Sequence, residues 1–169
     1  MVHSIELLFD RDTETAIRRI WDDLAAADIP GRPPAGRPHV TLAVAERIEP
    51  DVDALLLPVA QRLPLECTVG APLLFGSSNA VLARVIVPTV ELLALHAEMH
   101  RLCEHYLNPG LMPNSLPGQW TAHVTVARRV GGAQLERAFR LAGQPSEIHG
   151  MVAGLRRWDG TERVEHAIG

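Results

Sequence analysis

The chain contains no lysine; all 16 of its basic residues are arginine. That excludes a phosphate loop of the G-x-x-x-x-G-K type, whose lysine must reach the phosphates. It excludes Schiff-base catalysis through a lysine amine, and equally a ligase that stores AMP on a lysine. Cysteine is nearly absent. Cys67 and Cys103 are too few for a disulfide scaffold and lack metal-ligand spacing. A reducing, cytoplasmic setting is the default expectation. There is no excess of positive charge either: the formal net charge is −4. The broad basic field that coats duplex DNA is missing, so any phosphate recognition must be local. No apolar run approaches membrane-spanning length. The opening Met1-Val2-His3-Ser4-Ile5-Glu6 has no charged leader before an apolar core, so neither membrane contact nor a signal peptide is expected. Ordinary apolar content over 169 residues suits one domain, residues 1–169, and a monomer.

What is present is a repeat. His39-Val40-Thr41-Leu42 recurs as His123-Val124-Thr125-Val126, 84 residues later. In a strand, residues i and i+2 share a face. His39 therefore projects with Thr41, and His123 with Thr125, while the valines and Leu42 face the other way. With only eight His and eight Thr in the chain, two chance copies are expected in roughly one chain in a few hundred. One copy alone reads as a strand with a buried His and a β-branched Thr. Two such strands side by side form a wall of two imidazoles and two hydroxyls, which is equipment for acid–base work on a phosphate.

Periodicity places the rest. Val2 to Phe9 reads as a strand. Asp12 or Thr13 caps a helix to about Ala27, with Ile17, Ile20, Trp21 and Leu24 on one face. Pro30–Pro38 is a Pro/Gly/Arg loop feeding strand His39–Ala45. A second helix opens at Pro50-Asp51 and stops before Pro64. Leu65–Leu74 and Ala80–Val87 are strands around a turn at Gly76-Ser77-Ser78-Asn79. Thr89–Leu107 is the strongest helix, with Leu92, Leu95, Met99, Leu102, Cys103 and Tyr106 as its stripe. A second loop, Asn108–Gly118, feeds strand Thr121–Arg128. A short helix, Gln134–Leu141, precedes strands Glu147–Leu155 and Arg163–Ile168. Strand, helix, His-strand, helix and hairpin recur, although the first strand of the second half is not obvious. The pattern is an imperfect duplication, two lobes related by a pseudo-two-fold axis.

The paired His-x-Thr tetrapeptides, in a chain of this size and element order, resemble the 2H phosphoesterase superfamily. The likeness is greatest to the bacterial group of 2′-5′ RNA ligases and 2′,3′-cyclic-nucleotide phosphodiesterases, and it covers essentially the whole chain. It implies an α+β, bilobal fold: two antiparallel sheets, helices outside, and a central cleft between the motifs. It implies metal-free action on cyclic phosphates or phosphodiesters, with no cofactor. Carried over, the catalytic residues are His39, Thr41, His123 and Thr125, with His39 as acid and His123 as base. Arg128 holds the place of the Arg that follows the second motif as H-x-T-x-x-R. Pro38 precedes the first motif as expected, whereas Trp120-Thr121-Ala122 precedes the second. Phe75 only loosely matches the nucleotide-facing aromatic of the third strand. The implied partner is an RNA end or a small nucleotide carrying a cyclic phosphate.

Residue chemistry agrees with that reading. Free imidazole titrates near pH 6.5, so one ring can be neutral while another is protonated. Threonine hydroxyls can donate to phosphoryl oxygens, and an arginine fork suits a phosphate. In an unbroken strand Arg128, five residues after His123, points away from the histidine face. Trp120, Trp158 and Phe75 are stacking candidates, and Arg37 a candidate to line the cleft; Arg84, Arg156 and Arg157 are weaker ones. The Arg32–Arg37 loop reads as a flap or a plain connection. His96 and His100 form H-x-x-x-H, but with no third ligand nearby a structural role is expected. His3, His105, His149 and His166 carry no motif. Two other classes remain open: a non-catalytic RNA- or nucleotide-binding protein, and a metal hydrolase. No carboxylate accompanies either motif in sequence; Glu46 is the nearest.

Overall fold

Alternation in the first residues makes the first strand. In β1 (His3–Phe9), Ile5, Leu7 and Phe9 enter the core while Ser4 and Glu6 take the other face. Helix α1 (Arg11–Ala26) buries Ile17, Ile20 and Leu24. Its cap is Asp10, not Asp12 or Thr13: the backbone of Asp10 is extended, and its carboxylate accepts the Thr13 N–H at 3.0 Å. Such a cap is worth about 1 kcal/mol. The computed structural model describes residues 1–29, 36–108 and 114–169. Most of the Arg32–Arg37 loop and residues 109–113 of the second loop lie outside that set.

Strands β2 (His39–Ala45) and β3 (Arg47–Ile48) follow. The helix expected from Pro50 is two short ones, α2 (Val52–Leu55) and α3 (Leu57–Ala60). Pro58 has no N–H to give the Ala54 carbonyl, so the turn breaks at Leu56. Strands β4 (Leu65–Phe75) and β5 (Ala80–Ile86) form the expected hairpin. Gly76 (φ +82°) and Asn79 (φ +56°) supply its left-handed turn positions. Helix α4 (Val90–Cys103), capped by Thr89, ends in a 3₁₀ turn at Glu104–Tyr106, short of the expected Leu107. Then come β6 (Leu107–Asn108), β7 (His123–Val130), α5 (Leu135–Ala142), β8 (Ile148–Asp159) and β9 (Val164–Ile168). The two-residue ladder of β3 with β6 is too short to show as alternation.

All strand pairs are antiparallel. One hydrogen-bonded path runs β2-β1-β8-β4-β5-β7, with β9 added on β8. Its two arms are the sheets of the two lobes, and β8 is their hinge-point: Leu155 sits between Leu7 and Ile168, and Val152 between Phe9 and Leu65. The internal duplication is β1-α1-β2…β4 and β5-α4-β7…β8. The strand missing from the second half is thus β5, which the sequence assigns to the first half because it closes a hairpin with β4. Each half lends its last strand to the other's arm: β8 pairs with β1, and β4 with β5. Helix α1 packs on β7, β8 and α5, and α4 on β2, α2 and α3. Among the described residues no helix is long and apolar enough to cross a membrane.

Candidate active site

The motif strands β2 and β7 end the two arms and lie side by side without ladder bonds between them. Tryptophan side chains satisfy carbonyls on these edges. Trp120 Nε1 donates to the Thr41 carbonyl at 3.0 Å, and Trp21 Nε1 to the Thr125 carbonyl at 3.3 Å. His39, Thr41, His123 and Thr125 all line one cavity of about 540 Å³ between the arms.

The two imidazoles are held alike. His39 Nδ1 lies 2.8 Å from the Arg37 carbonyl, and His123 Nδ1 lies 2.7 Å from the Thr121 carbonyl. A carbonyl only accepts, so each Nδ1 carries the proton and each Nε2 is the atom left for a substrate. Their surroundings differ. Phe75 tilts over His123 with ring centroids 4.6 Å apart. Burial, chiefly, and the nearby His39 and Arg128 push His123 below its ordinary value, opposed by the bond to Thr121. His39 Nε2 instead lies 3.6 Å from the Glu6 carboxylate. Glu6 is held in turn by Ser4 Oγ at 2.5 Å and by Arg156 at 2.7 and 2.8 Å. In sequence Glu46 is the carboxylate nearest a motif; in space it is Glu6, because β1 pairs Glu6 with Thr41.

Each motif strand carries a β-bulge immediately after its Thr. Opposite β1 the register passes from Thr41 to Ala43, and opposite β5 from Thr125 to Ala127. The extra residues are Leu42 and Val126. A bulge shifts the alternation by one, so Leu42 and Ala43 are both buried, as are Val126 and Ala127. Arg128 thereby returns to the histidine face and lines the cavity, where an unbroken strand would have turned it away. Val44 holds the matching place in β2. Leu42 has no partner in the β1 ladder. Its carbonyl faces the Nε2 atoms of His96 and His100, each 3.1 Å away. His96 also stacks flat on Trp120, with ring centroids 3.9 Å apart. This pair therefore braces the bulge from within the core. Burial pushes both rings down, His96 to about 4. Among the described residues, no three His, Cys, Asp or Glu side chains converge as a metal would require.

The other candidates are placed as follows. Phe75 and half-buried Trp120 line the same cavity. Arg37 does not; its guanidinium pairs with Glu14 at 3.2 Å beside a neighbouring cavity that shares His39. Arg84 is fully buried and donates to the carbonyls of Val69, Gly70, Ala142, Pro145 and Ser146. Arg157 is buried against Asp53 in a fork at 2.7 and 2.8 Å. A larger hollow, about 710 Å³, opens elsewhere; its lining sets three carboxylates, Asp10, Asp12 and Glu66, against one imidazole, His149, and among the described residues no arginine, so it is poorly suited to a phosphate.

Comparison with known proteins bears on this architecture. Structures similar in fold include TT0787 of Thermus thermophilus, at 14% identity and TM-score 0.63, covering 100% of this chain and 96% of that one. E. coli LigT complexed with 3′-AMP matches at 14% identity and TM-score 0.57, covering 99% and 94%. Kluyveromyces marxianus Usb1 with uridine monophosphate matches at 12% identity and TM-score 0.52, covering 99% and 97%. Among curated proteins no sequence matches significantly. The sequence model of the 2′-5′ RNA ligase superfamily matches residues 9–162. With both motifs inside that span, the chain belongs to the 2′-5′ RNA ligase superfamily.

Proposed function

We propose that this protein is a metal-independent phosphodiesterase that opens 2′,3′-cyclic phosphates at RNA ends or on nucleotides, using His39 and His123 as acid and base. The observation that carries the reading is the matched pair of Nδ1 bonds, which leaves two Nε2 atoms for one cavity. His123 is the base, because its lowered proton affinity keeps it neutral near pH 7. Its Nε2 takes a proton from water as that oxygen bonds to phosphorus. The bond from phosphorus to one ribose oxygen breaks, and His39 gives that oxygen its proton. Glu6 lies 3.6 Å from the Nε2 that delivers it. Thr41, Thr125 and Arg128 serve the non-bridging oxygens, and Phe75 and Trp120 flank the nucleoside. The nucleotides bound by LigT and Usb1 support a nucleotide or RNA end as ligand here. Run in reverse, with a ribose hydroxyl in place of water, the same two proton transfers join RNA ends without ATP.

The test is hydrolysis of a panel of nucleoside 2′,3′-cyclic phosphates, with and without EDTA, by the wild type, His39→Ala and His123→Ala. Turnover should survive EDTA, and each substitution should lower it by about 10²–10⁴-fold. Full activity in either variant overturns the mechanism. Binding without turnover in the wild type would leave a nucleotide-binding protein instead.

A further inference from the structure

The strand registers reveal a second aromatic position. In one arm, Thr125 faces Ala83, Ala83 faces Leu73, and two residues back along β5 Val81 faces Phe75. In the other arm, Thr41 faces Glu6, Glu6 faces Arg156, and two residues back along β1 Ser4 faces Trp158. Trp158 is therefore the pseudo-two-fold counterpart of Phe75, and the two lie 83 residues apart, close to the 84 that separate the histidines.

Trp158 is half-buried, and the Arg156 guanidinium lies 5.4 Å from its ring centre. It opens on the neighbouring cavity, about 410 Å³, bounded by His39, Glu6, Arg37, Arg156 and Glu165. His39 lines both this cavity and the one that holds Phe75. Both arginines here are already matched by carboxylates: Arg37 by Glu14, and Arg156 by Glu6 and Glu165. Among the described residues, no unmatched positive charge is left there for a second phosphate. The ring, with a cation on it, suits the flat face of a base.

We propose that Trp158 forms a second base subsite, so that the preferred ligand carries a nucleoside on each ester oxygen of one phosphate: one base on Phe75, the other on Trp158. The inference rests on the proposed function only for the position of the phosphate between the motifs.

The test is titration of the full chain with diadenosine monophosphate (adenosine 3′-linked to adenosine 5′) and with adenosine 2′,3′-cyclic phosphate. The readouts are affinity and the indole N–H resonance of Trp158, assigned by its loss in Trp158→Phe. The dinucleotide should move that resonance, and the cyclic mononucleotide should not. Trp158→Ala should weaken the dinucleotide by roughly tenfold or more, leave the cyclic mononucleotide within about twofold, and be largely rescued by Trp158→Phe. An unmoved resonance, or equal effects on both ligands in Trp158→Phe and Trp158→Ala, overturns the subsite. Should the wild type hydrolyse neither ligand while the resonance still responds, the phosphodiesterase reading fails and the subsite stands.

Discussion

Acid should loosen this protein through His96, and the size of the effect follows from its position. The ring is 1% exposed, stacked on Trp120 and shared with His100 over the Leu42 carbonyl. Burial and the neighbouring His100 lower its titration from 6.5 to about 4. In the unfolded chain the same imidazole takes its proton near 6.5. Between those values the unfolded state holds the extra proton, so stability falls as pH drops from about 6.5 to about 4 and levels off below. One such proton is worth roughly 1.4 kcal/mol per pH unit, or roughly 3 kcal/mol over the whole window. His100 shifts in the same direction and adds to the slope. The assay is urea unfolding followed by circular dichroism at pH 7.5, 6, 5 and 4.5. His96→Phe keeps a ring against Trp120 and leaves His100 to bond Leu42, so it should lose about one proton's worth of slope. A slope in His96→Phe equal to the wild type's would refute the reasoning.

Activity should fall on the acid side at a pH below the 6.5 of a free imidazole, because His123 must be neutral to act. Phe75→Ala, by admitting water to that ring, should move the acid limb upward in a profile of kcat/KM against pH. Thr41→Val and Thr125→Val should each cut kcat by about 10²-fold with little change in KM, the signature of a donor used mainly in the transition state. Arg84→Met strips donors from five carbonyls while relieving a buried charge; a net loss of roughly 3 kcal/mol is expected in urea unfolding. A midpoint equal to the wild type's would show that those carbonyls find other donors.

Elements with a local cause were legible in the sequence. The strands around His39 and His123 follow from two-residue alternation, α1 from its stripe, and the β4–β5 turn from Gly76 to Asn79. Pairing across the chain was not. Nothing local tells that β5 opens the second repeat, or that Glu6 comes to rest beside His39. The bulges were hidden as well, because Val126-Ala127 reads as ordinary strand. They arise where a strand at the end of its arm can take in one more residue, and they decide which way Arg128 faces. Trp158 is a stacking candidate in the sequence, but its equivalence to Phe75 exists only in the strand registers of the two arms.

The strand β8 bonds to members of both arms at once. The gap between the two histidines is thereby fixed by a third element that carries neither of them. Prying the lobes apart would mean breaking ladder bonds, so ligands meet a ready-made slot, and little binding energy is diverted into shaping it. The architecture also gives the C-terminal quarter of the chain a hold on both histidine strands at once. Damage to Ile148–Asp159 should misalign both motif strands together rather than disable one lobe.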